Sequence, residues 1–254
     1  MDTIISWFST GVTSAVATKI ALEQYSNVRI IYIDIATQHP DSLRFLKDCQ
    51  DWFGQDIEIH RSEKYTDHFD VIEKTRYING AYGARCSLEL KKKVRYKIED
   101  ESEWDGQGFG FDFSKHEIER AERFKKEYPD SKPVFPLIDA KLNKGECHGI
   151  LLNAGIKQPK MYDLGYPNNN CVGCVKGGAG YWNAIRRDFP ITFERMAKLE
   201  REINHTCLKE TKDGETVKVY LDELDPNKGN YLKPILPDCG MFCQTEFDYL
   251  NTQR

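Results

Sequence analysis

A short run of hydroxyl residues around a single glycine has the composition of a phosphate-binding loop. It follows a β-branched and aromatic segment, Thr3 to Phe8, and precedes apolar residues at helical spacing from Val12 to Ala21. The loop therefore lies at the N-terminus of a predicted helix, where free N–H groups and the helix dipole favour a bound anion. Its candidate anion-binding residues are Ser9, Thr10, Gly11, Thr13 and Ser14.

This hydroxyl loop matches neither of the common phosphate-binding signatures. A Walker loop would continue into Gly-Lys-Ser/Thr, and a dinucleotide fingerprint would carry more than one glycine. Because a capped helix after a strand occurs in many α/β proteins, the stretch alone leaves its function open.

Two close cysteine pairs form a second group of chemically reactive residues. Cys171 and Cys174 have the spacing of a metal-binding knuckle, and Cys239 and Cys243 lie near the end of the chain. If the tail folds back across the intervening helices, these four thiolates are predicted to bind zinc or an iron–sulfur cluster. The alternative is that all four are reduced thiols.

Composition narrows the function classes. The chain has 254 residues, 40% of them hydrophobic, and its net charge of −4 does not indicate a general affinity for nucleic-acid phosphates or anionic membranes, although it leaves a local basic patch open. No apolar run approaches transmembrane length, and the first residues lack the features of a signal peptide. We expect a cytoplasmic protein whose eight cysteines are thiols, metal ligands or redox groups rather than structural disulfides.

Strands and helices alternate along the chain. Val28 to Asp34 is a continuous apolar run that ends in a carboxylate, as expected for a buried parallel strand. Ligands of open α/β sheets bind outside the carboxyl ends of the strands, so Asp34 and the hydroxyl loop are expected to face one crevice. Further strands are predicted at Asp56 to Arg61 and Gly106 to Phe113, and helices at Pro40 to Trp52, Tyr65 to Arg76, Ser87 to Glu99, Ser114 to Tyr128, Lys144 to Asn153, Trp182 to Asp188 and Pro190 to Ile203.

This alternation predicts an α/β fold with a doubly wound, mostly parallel sheet. We place an approximate domain boundary near Tyr166. Residues 1–166 are expected to form the nucleotide-binding α/β domain, and residues 167–254 a C-terminal helical appendage that contains the cysteine pairs.

The segment from Arg85 to Lys93 is basic in an otherwise slightly acidic chain. It is either a solvated helix face or a surface at which Arg85 and Lys91 meet the charged tail of a nucleotide, since such cations suit phosphate or sulfate oxygens. Farther along, Glu117 and Arg120 lie three residues apart, a spacing more typical of a surface ion pair than of a ligand contact.

Together these motifs resemble those of the phosphoadenosine-phosphosulfate (PAPS) reductase family, part of the adenine-nucleotide α-hydrolase or PP-loop superfamily. The hydroxyl loop is similar to the family's phosphate loop, and the resemblance implies an adenine nucleotide as ligand, either PAPS, its non-phosphorylated form APS, or ATP. Phage-encoded relatives share the region from Gly177 to Trp182. The other similar blocks are Asp34 with Pro40 to Ser42, Arg85-Cys86 with Lys91, Phe135 to Leu137, and Tyr162 to Tyr166 running into Cys171 and Cys174.

Departures from the family pattern fall where the chemistry would occur. Asp238 to Met241 resembles the family's catalytic Glu-Cys-Gly-Leu, which implies that Cys239 attacks the sulfur of a sulfonucleotide and leaves a thiosulfonate. Cys243 follows four residues later, which a reductase does not need, and it indicates a metal. Cys86 lacks the adjacent second cysteine of the iron–sulfur reductases. A cysteine in a closed metal site is poorly placed for attack, so the two roles compete for Cys239.

Three functions stay open at this point. The first is sulfonucleotide reduction, with Cys239 as the catalytic residue and a thiol reductant as partner. The second is an ATP-dependent adenylating or thiolating enzyme, with a sulfur-donor protein as partner and a four-cysteine metal site. The third is a non-catalytic nucleotide-binding or host-interaction module. The sequence leaves open a nucleic-acid acceptor and the formation of a homo-oligomer.

Overall fold

The computed structural model describes residues 3–80, 83–212 and 214–229. Strands and helices alternate through most of these ranges. The strands are β1 (Thr3–Phe8), β2 (Asn27–Ile33), β3 (Glu58–His60), β4 (Asn79–Gly80), β5 (Gly83–Ala84), β6 (Gly106–Gly108), β7 (Pro133–Val134), β8 (Leu208–Lys212) and β9 (Glu215–Val219). The α-helices are α1 (Val12–Gln24), α2 (Asp41–Phe53), α3 (His68–Thr75), α4 (Arg85–Ser87), α5 (Lys93–Glu101), α6 (Lys115–Glu127), α7 (Pro136–Asp139), α8 (Lys144–Asn153), α9 (Lys160–Asp163), α10 (Ala179–Asp188) and α11 (Pro190–Ile203).

Five parallel strands form the central sheet, in the order β3-β2-β1-β6-β7. The chain moves outward from β1 to β3 and then returns to the other side of β1, so the strand order reverses between β1 and β6. In open α/β sheets this reversal creates a crevice at the carboxyl ends of the strands. The predicted parallel α/β fold is therefore confirmed.

Apolar side chains on both faces of β1 and β2 explain why the sheet is covered on each side. Phe8, Val28 and Ile30 pack with buried residues of α1, α2 and α8 in one core. On the opposite face, Ile5 and Ile31 pack against α5. This double burial matches the continuous apolar runs from which the strands were predicted.

A further core surrounds Trp182, whose side chain is fully buried in α10. It joins residues of α10 and α11 to Phe69 and Ile72 of α3 and to Met161 of α9. The hairpin of β8 and β9, which the sequence analysis did not predict, packs onto it through Leu208. This core contains residues from both sides of position 166, so its packing does not mark a domain boundary there. The boundary near Tyr166 stays a prediction.

None of the helices in the described ranges has the length and apolarity needed to cross a bilayer.

Candidate functional site

A cleft of about 800 Å³ opens at the carboxyl ends of β1 and β2, beside the segment that follows β6. Three residues of the hydroxyl loop line it: Ser9, Thr13 and Ser14. We call this cleft the loop crevice. Its place agrees with the reversal of strand order, because the sheet topology brings the β1–α1 loop and the β6–α6 segment to one edge.

Hydrogen bonds between the serines hold the hydroxyl loop together. The Ser14 Oγ accepts bonds from the Ser9 N–H at 3.1 Å and the Ser9 hydroxyl at 3.0 Å, and it donates to the Gly11 carbonyl at 2.9 Å. Helix α1 begins at Val12. Its N-cap residue is Gly11, which has no side chain to bond to the free N–H groups of the first turn. Two serine hydroxyls and the positive end of a 13-residue helix therefore meet at the crevice wall.

Gly110 forms the facing wall of the loop crevice. A Cβ atom at this position would lie 2.7 Å from the Ser14 Cα and 2.8 Å from the Ser14 N, closer than real Cβ atoms come to backbone. Only glycine lets the segment after β6 approach the loop this closely. Sequence reasoning missed this residue, although a glycine inside the predicted strand from Gly106 to Phe113 was a signal for close backbone approach.

Two predicted loop residues lie away from the opening of the crevice. Thr10 is completely buried and has a left-handed backbone, with φ of 55°. Its hydroxyl donates to the Ser9 carbonyl at 2.6 Å. Gly11 has an ordinary extended φ of −95°, and a Cβ there would lie 3.5 Å from the Ser9 Oγ and 3.8 Å from the Ser14 Oγ. Thr10 therefore shapes the loop from below, and Gly11 keeps the space beside the two serine hydroxyls free.

Five basic side chains line the loop crevice. Arg95 forms an ion pair with Glu99 and Arg120 with Glu117. The other three have no carboxylate partner among the residues that the structure describes: Lys91, Lys92 and Lys144. Lys144 instead donates to the Asn168 Oδ1 at 2.8 Å and to the Pro167 carbonyl, and burial lowers the pKa of its ammonium group. The carboxylates of Asp112 and Glu117 also line the crevice and interact electrostatically with Lys144, so five lysine and arginine side chains face two carboxylates and the net charge of the crevice is positive.

The ion pair of Glu117 and Arg120, expected on the surface, lies at the rim of the crevice with a distance of 3.0 Å. The Arg120 guanidinium stacks on Phe111, 4.1 Å from the ring centroid. Sequence reasoning therefore identified the pair but not its position, because only the fold brings α6 to this edge.

Arg85 and Lys91, predicted to act together, occupy different surfaces. The basic segment is helical throughout, with a π-helical turn at Leu88–Lys92 between α4 and α5. Arg85 pairs with the buried Glu89 four residues later at 2.8 Å and lines a separate pocket beside Tyr77. Lys91 is six residues from Arg85, so it projects from another side of the helix and into the loop crevice. π-Helical turns are frequent at functional sites.

Asp34 lies in a neighbouring pocket of about 440 Å³, which we call the Asp34 pocket and which is lined by Tyr32, Gln38 and Arg61 among others. Its carboxylate accepts hydrogen bonds from the Arg61 Nε at 2.7 Å and the Tyr32 hydroxyl at 3.2 Å. The structure therefore places Asp34 beside the loop crevice rather than inside it. Gln38 lines both cavities and joins them.

The knuckle of Cys171 and Cys174 is held by one tyrosine. The Tyr181 hydroxyl accepts the Cys174 N–H at 2.8 Å and donates to the Cys171 carbonyl at 3.1 Å. Gly173 in the turn has a φ of 79°, the left-handed region that favours glycine. Tyr181 thus fixes the geometry that brings the two sulfurs together.

Two cysteines that sequence reasoning did not include in the metal site lie near this knuckle. The Cys86 thiol interacts electrostatically with Cys171 and Cys174, and the Cys207 thiol with Cys174 and Cys86. Burial is the main cause that raises the pKa of the thiols of Cys86, to about 11, and of Cys171 and Cys207, so all three are protonated at neutral pH. Free thiols of this kind are not activated nucleophiles.

The predicted metal ligands can be followed only in part. Cys171 and Cys174 lie as described, whereas Cys239 and Cys243 lie outside the described residues. Within the described ranges, no group of three or more histidine, cysteine or acidic side chains is arranged to hold a metal ion. The four-cysteine metal site and the nucleophilic role of Cys239 therefore stay predictions.

A family model for the phosphoadenosine phosphosulfate reductase domain matches residues 3–178, more than half of the chain. The chain belongs to this family. The resemblance inferred from the motifs is confirmed, and the PP-loop superfamily follows from it. The residues matched by the PAPS reductase model include the hydroxyl loop, Asp34, Lys91 and the knuckle of Cys171 and Cys174. The match ends before Cys207 and the tail cysteines.

A search of solved structures finds the crystal structure of phosphoadenylyl-sulfate (PAPS) reductase from Candida auris in a phosphate complex. It is 12% identical, covers 64% of this chain and 78% of its own, and has a TM-score of 0.46. No curated protein matches the chain.

Proposed function

We propose that this PAPS reductase-family protein is an enzyme that binds an adenine sulfonucleotide, with the phosphosulfate end in the loop crevice. The supporting observation is that the N-terminus of helix α1 and an excess of positively charged side chains meet in the same crevice. Ser9 and Ser14 lie on one side of the crevice, and Lys91, Lys92 and Lys144 line it without carboxylate partners in the described part of the chain. Such a surface suits a ligand end that carries several anionic oxygens.

Asp34 fits the uncharged part of the same nucleotide better than its anionic end. Its negative charge is balanced by Arg61, and its pocket adjoins the loop crevice through Gln38. A paired carboxylate accepts hydrogen bonds from hydroxyl or amino groups without attracting or repelling the phosphates strongly. We therefore place the nucleoside end towards the Asp34 pocket.

In the reductive reaction, the Cys239 thiolate attacks the sulfur of the phosphosulfate. The bond between this sulfur and the bridging oxygen breaks, and the adenosine phosphate leaves with the bonding electron pair. The product is an S-sulfonated Cys239, and a second thiol from a reductant then releases sulfite as a disulfide forms. The crevice cations contribute by stabilising the negative charge that develops on the leaving phosphate.

Turnover assays with APS and PAPS, in the presence of a dithiol reductant, test this function. We expect sulfite release that stops in Cys239→Ser and that is weaker in Lys91→Ala. Lys126→Ala is the matched control, because Lys126 is an exposed lysine of α6 that does not line the crevice. Tight nucleotide binding with no turnover of any substrate would instead support the non-catalytic module.

The cysteines near the knuckle favour a second candidate, an ATP-dependent enzyme with a structural metal. Thiolates suit zinc or an iron–sulfur cluster, and Cys171 and Cys174 lie near two further cysteines as well as preceding the tail pair. The ligands would be Cys171 and Cys174 with Cys239 and Cys243, because the cysteines within the described ranges do not form a metal-binding group by themselves. A metal bound through Cys239 would exclude this residue as the nucleophile.

Metal analysis of the purified protein and of its cysteine variants tests whether the tail pair, Cys239 and Cys243, binds zinc or iron. Loss of zinc or iron in Cys174→Ser and Cys243→Ser, but not in Cys207→Ser, supports the tail pair. Full retention of the metal in Cys243→Ser would show that the tail pair does not bind it. Cys49→Ser is the control, since Cys49 is buried in the separate core beneath α2. If the wild-type protein holds neither metal, the metal proposal is wrong.

A further inference from the structure

Thr10 has a backbone conformation that its side chain disfavours. Its φ of 55° lies in the left-handed region, which β-branched residues rarely adopt. The residue is completely buried between Ser9 and Gly11, so its conformation sets the direction in which the chain enters α1. Some surrounding group must hold it there.

Asn169 is the group that contacts Thr10 most directly. Its side-chain Nδ2 donates to the Thr10 carbonyl at 2.8 Å, and it lies 3.2 Å from the Thr10 Oγ1 and 3.0 Å from the Ser42 Oγ. Because a carbonyl oxygen only accepts hydrogen bonds, the amide nitrogen must face it. Asn169 is only 6% exposed, so water cannot replace this bond easily.

A second contact from the same segment reaches the start of α1. The Val12 N–H donates to the Tyr162 hydroxyl at 3.3 Å. The segment from Tyr162 to Asn169 therefore holds both ends of the turn at Thr10 and Gly11. These contacts come from beneath the loop, whereas Asn168 and Asn170 line the crevice itself.

We propose that Asn169 is a positioning residue that keeps the hydroxyl loop in its anion-binding conformation. It acts through Thr10 and does not touch the nucleotide. The proposal rests on the proposed function for its effect on affinity, but not for its effect on the loop. It also explains why Asn169 lies only two residues before the knuckle, since the same segment then positions both the loop and Cys171.

Two variants, Asn169→Asp and Asn169→Ala, test whether the Asn169 amide N–H that bonds to the Thr10 carbonyl holds the loop in place. The aspartate has nearly the same shape but places a carboxylate oxygen against the Thr10 carbonyl. We expect both variants to bind APS roughly tenfold more weakly in calorimetry, since without the amide donor Thr10 can leave its strained left-handed conformation and change the shape of the loop. Asn183→Ala is the matched control, because the Asn183 Nδ2 also donates to two backbone carbonyls, those of Asp225 and Lys228, but away from the crevice.

Thr10→Gly separates positioning from a general loss of stability. Glycine adopts a positive φ without strain, so the loop should no longer depend on Asn169. Asn169→Ala in the Thr10→Gly background should then cost less than roughly threefold in affinity, compared with tenfold in the wild-type background. Equal losses in both backgrounds, or an unchanged affinity in Asn169→Ala, would overturn the proposal.

Hydrogen exchange of residues 9–14 in the ligand-free protein gives a readout that needs no nucleotide. Faster exchange in Asn169→Ala but not in Asn183→Ala supports the proposal, and equal exchange in the two variants contradicts it. If the wild-type protein binds no adenine nucleotide, the proposed function fails, and the exchange result alone decides the role of Asn169.

Discussion

The two cavities at the carboxyl edge of the sheet differ in how their charges are balanced. In the loop crevice, Lys91, Lys92 and Lys144 have no carboxylate partners among the described residues. In the Asp34 pocket, the carboxylate of Asp34 lies 2.6 Å from the Arg61 guanidinium. Two cavities that share Gln38 therefore present a cationic surface and a neutralised one.

This difference indicates a direction for a bound nucleotide. Unpaired cations gain most from a multiply charged anion, because they have no internal partner to lose. A paired carboxylate recognises polar hydrogens instead. The fold places these two surfaces side by side because Ser9 follows β1 and Asp34 follows the adjacent strand β2.

The largest effect is expected from Gly11→Val, which fills the space beside the Ser9 and Ser14 hydroxyls. A Cβ at position 11 makes only ordinary contacts in the free protein, so Gly11→Ala, measured beside it, should melt at nearly the wild-type temperature. In Gly11→Val, binding of APS should weaken by roughly a hundredfold or more, because several contacts to the anion are lost together. Calorimetry and thermal unfolding measure the two quantities. Unchanged affinity would remove the hydroxyl loop from the binding site.

Lys91→Ala should weaken binding by roughly tenfold, since a hydrogen bond to a charged group contributes about 1.5 to 3 kcal/mol. Its affinity should also depend less on salt than that of the wild type. Arg85→Ala is the comparison within the same basic segment, and its loss should be smaller because Arg85 pairs with Glu89 in another pocket. A larger loss for Arg85→Ala would mean that the anion lies elsewhere.

Asp34→Asn should have a smaller effect, roughly threefold, typical of one altered neutral hydrogen bond. The important expectation is that the salt dependence of binding does not fall as it does in Lys91→Ala, because Asp34→Asn removes no positive charge and leaves that of Arg61 in place. Titrations at two salt concentrations measure both. If Asp34→Asn changed the salt dependence as much as Lys91→Ala does, the charge distinction between the two cavities would be wrong.

Two buried histidines lie behind these cavities and should make the fold sensitive to acid. His68 bonds to Thr37 at 2.8 Å, and His148 packs on Tyr162; burial is the main cause that lowers the pKa of each to about 4. The unfolded chain, with histidine pKa values near 6.5, binds protons first as pH falls. The free energy of unfolding should therefore fall between about pH 6.5 and 4, by at most about 1.4 kcal/mol per pH unit for each histidine.

Urea unfolding at pH 7.5, 5.5 and 4.5 measures this loss. His148→Gln should show a shallower fall in unfolding free energy than the wild type, and so should His68→Gln. His116→Gln supplies the control, because it removes a histidine whose side chain is exposed. Identical pH profiles for all four proteins would show that the buried histidines do not contribute.

Much of the fold could be predicted from the sequence, because local patterns matched the final packing. The apolar runs of β1 and β2 and the predicted helix from Pro190 to Ile203 appear at nearly the same bounds. The predicted strand from Gly106 to Phe113 pairs only at Gly106–Gly108, since Phe109 and Phe111 turn away to pack with Phe135. The polar hairpin of β8 and β9 carries little apolar periodicity to reveal it.

The site was less predictable, because its residues meet only through the tertiary fold. Ser9, Thr13, Ser14 and Lys91 lie together as expected, since the loop motif and strand topology place them. Gly110, Lys144 and Asn169 come from distant segments whose local sequence does not show where they converge. Arg85 and Lys91 are close in the chain but project in different directions, which depends on the phase of a helix interrupted by a π-helical turn.

The central claim, that the loop crevice binds the anionic end of an adenine nucleotide, is tested most directly by comparing two ligands. Calorimetric titration of the wild-type protein with APS and with adenosine isolates the contribution of the phosphosulfate. The account predicts that APS binds roughly a hundredfold more tightly, because charge-assisted hydrogen bonds from several groups act together. Equal affinities for the two ligands would contradict it.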